Sequence, residues 1–218
     1  MSQAGQESAP RRRSGARGAV FVGELLVAAA LLGGIVGCGG GEDATSRDAA
    51  GPGLESLPGA IYDPPRPAPA LRLTDAEGTD FDLANQRGRV ILVFFGFTEC
   101  PDICPATFQR WARVRAALGP DTSRVRFVFV SIDPEKDSPA ITAEYARKFD
   151  PSFVGLSGTV AEIGEVALAW GVSEDRAHTT QVFVVNPQGL IPWGYGRSAS
   201  VEEIVRGIRT LARGPSTR

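Results

Sequence analysis

The chain has 218 residues, 43% of them hydrophobic, which is enough for one well-buried core with segments to spare. Its formal net charge is −2, and beyond residue 37 its arginines are scattered singly rather than gathered in a patch, which argues against a nucleic-acid-binding domain. Three cysteines and one histidine restrict thiol and imidazole chemistry to very few positions.

In chain order, residues 1–37 read as an export signal. Arg11, Arg12, Arg13 and Arg17 form a positive region ahead of an apolar stretch over residues 25–36. About a dozen residues are too short to span a bilayer but suit a signal peptide. The stretch ends in Ile35-Val-Gly-Cys38, which resembles the lipobox of bacterial lipoproteins, where the cysteine is lipidated and becomes the new N-terminus. The alternative is an uncleaved anchor that runs back to Ala19 despite Glu24. Both readings keep the arginines inside and put the rest of the chain on the extracytoplasmic face of a bacterial membrane. An exported protein with three cysteines would carry an odd thiol. Assigning Cys38 to lipid leaves the pair Cys100 and Cys104.

Residues 38–69 are rich in Gly, Ala, Asp and Pro and lack apolar periodicity, so they read as a lipid-anchored tether. A coil of that length averages roughly 30 Å end to end and stretches to about 100 Å. Residues 70–218 form the single remaining domain. Leu71-Arg-Leu-Thr-Asp75 and Thr79-Asp-Phe-Asp-Leu83, joined through Glu77 and Gly78, predict a small hairpin. Val90-Ile-Leu-Val-Phe-Phe95 is continuously apolar, as in a strand covered on both faces. Phe108, Trp111, Val114 and Leu118 recur at helical spacing, and Gly119-Pro120 stops that helix. Residues 125–132 predict a second buried strand, and Asp137-Ser-Pro-Ala140 opens a helix reaching about Phe149, with Pro139 in its first turn.

Residues 153–156 predict a short strand. A helix follows over 159–170, with Thr159 as N-cap and Glu162 at the capping-box position. Residues 181–185 predict a strand that turns through Asn186-Pro-Gln-Gly189 into an antiparallel neighbour over 190–195, before a last helix over 201–211. This order predicts an α/β sandwich with a central mixed sheet and flanking helices. A cysteine pair directly after a central strand makes that sandwich thioredoxin-like.

The chemistry centres on Phe97-Thr-Glu-Cys-Pro-Asp-Ile-Cys-Pro105. Pro101 or Pro105 is expected to start the helix, placing at least one sulfur near the positive end of its dipole and favouring the thiolate. A residue before proline avoids the α region, so Cys100 and Cys104 are each biased toward extended backbone. Three uses of the pair remain open. A structural disulfide suits an exported protein but would stiffen very little chain here. Thiol–disulfide exchange is allowed, although the spacing is C-x-x-x-C. A copper site is the third: two thiolates and the imidazole of His178, which leads into a predicted strand, would make a three-coordinate set suited to Cu(I). Zinc prefers four ligands and would need a carboxylate such as Asp175, so it is disfavoured.

Three segments resemble the Sco/SenC family: Gly96-Phe-Thr-Glu-Cys-Pro-Asp-Ile-Cys-Pro-Ala-Thr-Phe108, Val130-Ser-Ile-Asp-Pro-Glu-Lys-Asp-Ser-Pro139, and His178 followed by Val182-Phe-Val-Val-Asn-Pro-Gln-Gly189. The resemblance covers residues 70–212, with the motifs in the family's order. It implies a thioredoxin-like domain that binds copper through Cys100, Cys104 and His178, as Cu(I) and with Cu(II) left open. It further implies a metallochaperone that delivers copper to the binuclear centre of a cytochrome c oxidase subunit, while its own copper source, a copper donor protein or free copper, is left open. The alternatives are a thiol:disulfide oxidoreductase acting on that subunit's cysteines, with Cys100 and Cys104 as the redox pair, and a copper or redox sensor. One departure is Ala177, where the family commonly carries Asp before the histidine; the nearest carboxylate here is Asp175. Asp133 and Asp137 match the second motif, but each is also a good turn or helix-opening residue.

Overall fold

Val90–Gly96 (β4) is apolar throughout and buried at every position, because the strand lies in the middle of a sheet covered on both faces. The computed structural model describes residues 53–172 and 180–213. On one side β4 pairs in parallel with Val125–Ser131 (β5), which pairs in parallel with Val154–Leu156 (β6). On the other side it pairs antiparallel with Val182–Val185 (β7), and Leu190–Tyr195 (β8) follows as the hairpin partner of β7. The sixth strand, Ala60–Pro67 (β1), adds antiparallel to β8, giving the order β1-β8-β7-β4-β5-β6. A separate hairpin of Arg72–Thr74 (β2) and Asp80–Asp82 (β3) pairs Leu73 with Phe81.

Period-two alternation divides the strand side chains between two cores. On one face Leu92, Phe94, Phe127, Phe129, Val184 and Trp193 pack under Ile103–Leu118 (α1), Pro139–Arg147 (α2) and Val201–Arg213 (α4). On the other, Val93, Phe95, Val128, Val130 and Phe183 pack under Val160–Trp170 (α3) and the β2–β3 hairpin. All three tryptophans are buried and each indole N–H finds an acceptor, as large amphipathic rings require. Trp111 donates to Tyr195 Oη at 3.0 Å, Trp170 to the Ala70 carbonyl at 3.3 Å and Trp193 to the Pro58 carbonyl at 3.0 Å. Among the described residues no helix is long and apolar enough to cross a membrane.

The mixed sheet and flanking helices agree with the α/β expectation, and the hairpin and later helices fall close to their predicted positions. Residues 60–67 differ. They were expected within the tether, yet they form β1, and Leu57 just before them is buried. Proline-rich chain can be strand where its missing N–H faces away from a partner, and an edge position permits that. The segment carrying the proposed signal and Cys38 lies outside the described residues.

The topology collects three segments at one edge. The chain leaves the C-terminal end of β4 into the cysteine motif, and the C-terminal end of the parallel β5 into the turn before α2. Antiparallel β7 begins at that same edge, with Val182 opposite Phe94. This is the edge at which open α/β sheets hold their ligands.

Candidate functional site: a dithiol at the start of α1

Cys100 sits in a tight turn closed by its own N–H donating to the Phe97 carbonyl at 3.2 Å. Its sulfur accepts from the Cys104 backbone N–H at 3.4 Å. The residue at the helix N-cap, Asp102, makes no side-chain cap, so the Cys100 sulfur takes over part of that task. Asp102 instead faces Arg197 at 3.4 Å on the surface. Partial burial works against ionisation of Cys100. The N–H groups of Cys104, Asp102 and Ile103, with the Cys104 thiol, outweigh it and hold this thiol below its usual range.

Cys104 is the opposite case. It is the second residue of α1, only 2% exposed, and packs beneath the end of β4. A Cβ placed on Gly96 would lie 2.5 Å from its sulfur, so glycine there makes the space that Cys104 fills. Burial pushes its thiol far up. The Phe97 N–H pulls the other way, while the Cys100 thiol and the negative charges of Cys100 and Asp137 add to the rise. Both cysteines are free thiols here, one half-exposed and one buried.

The helix begins at Ile103, so neither proline starts it. Pro105 falls instead at the third position of the first turn, where no intrahelical N–H is needed. Cys104 is therefore helical despite preceding a proline, and only Cys100 lies outside the helix. The pre-proline bias toward extended backbone is overridden at Cys104 because its sulfur is buried by the helix packing against β4.

Around the pair, Asp137 is 1% exposed and accepts three hydrogen bonds. Thr98 donates its N–H at 2.8 Å and its hydroxyl at 2.5 Å, and Ser131 donates its hydroxyl at 2.6 Å. Glu99 pairs with Lys136 at 2.5 Å across the same two segments. Tyr145 of α2 packs on the core under the motif. Its phenol is pushed up by burial and then by the negative charges of Cys104, Cys100 and Asp137. Gly96, Thr98, Ser131 and Tyr145 were not singled out by the sequence. Only Gly96 left a hint, as a glycine ending an otherwise apolar strand.

Among the described residues no group of three His, Cys, Asp or Glu side chains could hold a metal ion. The described donors are the two sulfurs, since the buried carboxylate of Asp137 is already engaged on both oxygens. That donor set fits a soft, thiophilic cation of low coordination number and suits a hard one poorly. His178, Asp175 and Ala177 lie outside the described residues; the chain resumes at Thr180, which leads through Gln181 into β7.

This architecture has relatives. The chain is 36% identical over 150 residues to "Protein SCO2 homolog, mitochondrial" of mouse, a match covering 63% of this chain and 59% of that protein. It thus spans about three fifths of the curated relatives' length. The solution structure of apo Sco1 from Thermus thermophilus superposes with a TM-score of 0.65 at 33% identity, covering 75% of this chain and 99% of that one. ScoI of Bradyrhizobium japonicum with copper bound superposes with a TM-score of 0.59 at 29% identity, covering 67% and 99%. The SCO1/SenC family model matches residues 63–213, from β1 through α4 with the dithiol inside it, and on that extent of agreement the chain belongs to the SCO1/SenC family.

Proposed function

We propose that the protein is a copper metallochaperone for the binuclear copper centre of cytochrome c oxidase, with Cys100, Cys104 and His178 as its copper ligands. The observation that carries this reading is the convergence of two sulfurs at the start of α1, on the edge where β7 begins. In sequence His178 stands two residues before Thr180, ahead of the strand that begins at this edge. Membership of a family that includes copper-bound ScoI supports the cargo. Cu(I) is the form that two thiolates and one imidazole favour, and Cu(II) is a weaker partner for so soft a set.

In this reading Cys100 is the entry ligand, half-exposed and biased toward thiolate. Copper capture draws the Cys104 proton off, because a coordinated thiol is deprotonated even where burial otherwise keeps it protonated. Release to a partner is then helped by the same burial, because the Cys104 thiolate left as copper departs takes up a proton and the buried thiol is favoured over the buried thiolate. The proposed lipid on Cys38 and the tether would hold the domain at the extracytoplasmic face, within reach of an oxidase subunit and of a copper donor protein. A Cu(I) titration against a competing chelator tests the site. One tight copper per chain, weakened about 100-fold or more in His178→Ala with the fold intact, is expected. Unchanged affinity in that variant would overturn the ligand set.

The inequality of the thiols favours a second reading, reduction of a partner disulfide. Cys100 thiolate would attack one sulfur of the partner's disulfide, forming a mixed disulfide and releasing the other as thiolate. Cys104 would give up its proton and attack Cys100, leaving a Cys100–Cys104 disulfide and a partner dithiol, with two electrons transferred. Trapping a mixed disulfide with Cys104→Ser, at a rate indifferent to His178→Ala and to chelators, would support it.

A further inference from the structure

A carboxylate that is 1% exposed and has no cationic partner among its hydrogen bonds needs a reason to be there. Asp137 lies just before α2, yet the helix is capped by its neighbour Ser138, whose Oγ accepts from the Ile141 N–H at 3.3 Å. Its side chain turns away from α2 and reaches a segment 39 residues earlier in sequence. One oxygen accepts from the Thr98 N–H at 2.8 Å and from the Ser131 hydroxyl at 2.6 Å, and the other from the Thr98 hydroxyl at 2.5 Å. Its own backbone is held just as firmly. The N–H donates to the Asp133 carbonyl at 2.8 Å, and the carbonyl accepts from Ser157 at 2.6 Å. The carboxylate is therefore a fixed point on the scaffold, and the element it fixes is the turn that carries Cys100.

The same turn is also tied through the Gly96 carbonyl, which accepts from the Ile132 N–H at 2.8 Å, and through the Glu99–Lys136 ion pair, but Thr98 is the residue that the carboxylate holds. Thr98 sits between Phe97, whose N–H aims at the Cys104 sulfur and whose carbonyl receives the Cys100 N–H, and Cys100 itself. With Thr98 held, Phe97 can serve both cysteines at once, and the Cys104 sulfur, in a residue only 2% exposed, lies against Gly96 and Phe97 of this turn.

We propose that Asp137 is the positioning residue of the dithiol: acting through Thr98, it fixes residues 96–100 so that Cys104 stays sealed and Cys100 stays seated on the start of α1. The proposal rests on the reading of this pair as the copper site, and it gives Asp137 a task without making it a ligand. Removing the carboxylate orphans three donors in a protein interior and frees the turn to open. An asparagine keeps the shape: its oxygen accepts from the Thr98 N–H and Ser131, and its amide donates to the Thr98 hydroxyl, which can rotate to accept.

Two readouts on the reduced protein, taken well below the unfolding midpoint, test this. The first needs no copper: the alkylation rate of Cys104 in a Cys100→Ser background. Asp137→Ala is expected to raise it about tenfold as the turn opens locally, and Asp137→Asn to restore it. The second is Cu(I) affinity by chelator competition with both cysteines present. Asp137→Ala is expected to lose about 10- to 100-fold, and Asp137→Asn most of that loss again regained. If Asp137→Ala proves unable to fold, Thr98→Val removes only the hydroxyl contact and is expected to move both readouts the same way by a smaller factor. Cys104 remaining sealed in Asp137→Ala or, failing that, in Thr98→Val would overturn the proposal. So would Asp137→Asn behaving like Asp137→Ala, because the effect would then belong to charge. Wild-type protein that fails to bind Cu(I) at all would overturn the copper reading instead, while the alkylation arm would still decide the role of Asp137.

Discussion

Cys100 and Cys104 are four residues apart in sequence and opposite in environment, and the difference is set by the burial of Cys104 and the backbone N–H groups around Cys100 rather than by neighbouring charges alone. The folded state lowers the Cys100 pKa, so its thiolate adds stability above the ordinary thiol value, and that contribution is lost as pH falls through the depressed value. Folding raises the Cys104 pKa, so that group supports stability while it is protonated. The support fades as pH rises past the ordinary thiol value, where the unfolded chain ionises first. Iodoacetamide should therefore modify Cys100 in Cys104→Ser with a midpoint below that of a free thiol, and Cys104 in Cys100→Ser only slowly at neutral pH. Equal profiles for the two would show that the helix N-terminus and the burial do not act as argued. Gly96 is the steric counterpart. In Gly96→Ala the new methyl would lie 2.5 Å from the Cys104 sulfur and 3.1 Å from the Phe129 ring. Such overpacking costs about 1–3 kcal/mol, readable in urea unfolding, together with weakened Cu(I) binding as the sulfur is displaced. The motif announced the thiols in sequence, but not their inequality, which depends on Gly96 and on a carboxylate 39 residues from Thr98.

At the scale of elements, legibility followed locality. The α3 capping box could be read directly: Thr159 Oγ1 accepts the Glu162 N–H at 3.3 Å, and the Glu162 carboxylate accepts the Thr159 N–H at 2.7 Å. Thr159→Ala should lower stability by about 1 kcal/mol in denaturant unfolding. The backbone and then the hydroxyl of Thr159 hold the Glu162 carboxyl below its usual range, so the stabilising effect of the Glu162 carboxylate, distinct from the hydroxyl cap, is present at neutral pH and lost as pH falls through the depressed value. The same arrangement stands at Ser200 and Glu203, ahead of α4, and carries the same sequence signature. β1 could not be read this way. Its prolines and lack of alternation signal a linker, and the interactions that make it a strand come from far away. The Pro58 carbonyl receives the Trp193 indole from 135 residues downstream, and Arg66 lies 4.6 Å over the Tyr62 ring. A chain begun at residue 70, the boundary suggested by sequence, should therefore be less stable than one begun at residue 53. Loss of the burial of Leu57 alone removes about 2 kcal/mol, or about 4–8 °C in Tm, and the bare β8 edge adds a tendency to aggregate. Matching melting curves for the two chains would show that β1 is dispensable.

For the whole molecule, the docking of β1 changes what a tether can do. The sequence suggested about thirty residues of free chain between lipid and domain, but the described fold already begins at residue 53. The proposed tether shrinks to residues 39–52, and as a coil that length averages about 20 Å and reaches at most about 50 Å. The dithiol lies at one edge of the sheet, so a short tether limits which sites near the membrane it can meet. Effective concentration at a partner falls sharply once a linker cannot span the gap. Deleting residues 42–49 should therefore leave Cu(I) affinity of the purified protein unchanged while lowering copper-dependent oxidase activity in the cell. A Gly/Ser segment of the deleted length should restore that activity, because reach and not sequence is what the tether supplies. Cys38→Ser should release the chain from the membrane fraction and lower the same activity whatever the tether length. If the deletion is silent in cells while Cys38→Ser is not, the lipid matters but the span to the partner is shorter than argued. If Cys38→Ser is silent as well, the membrane has no part in bringing this site to its partner.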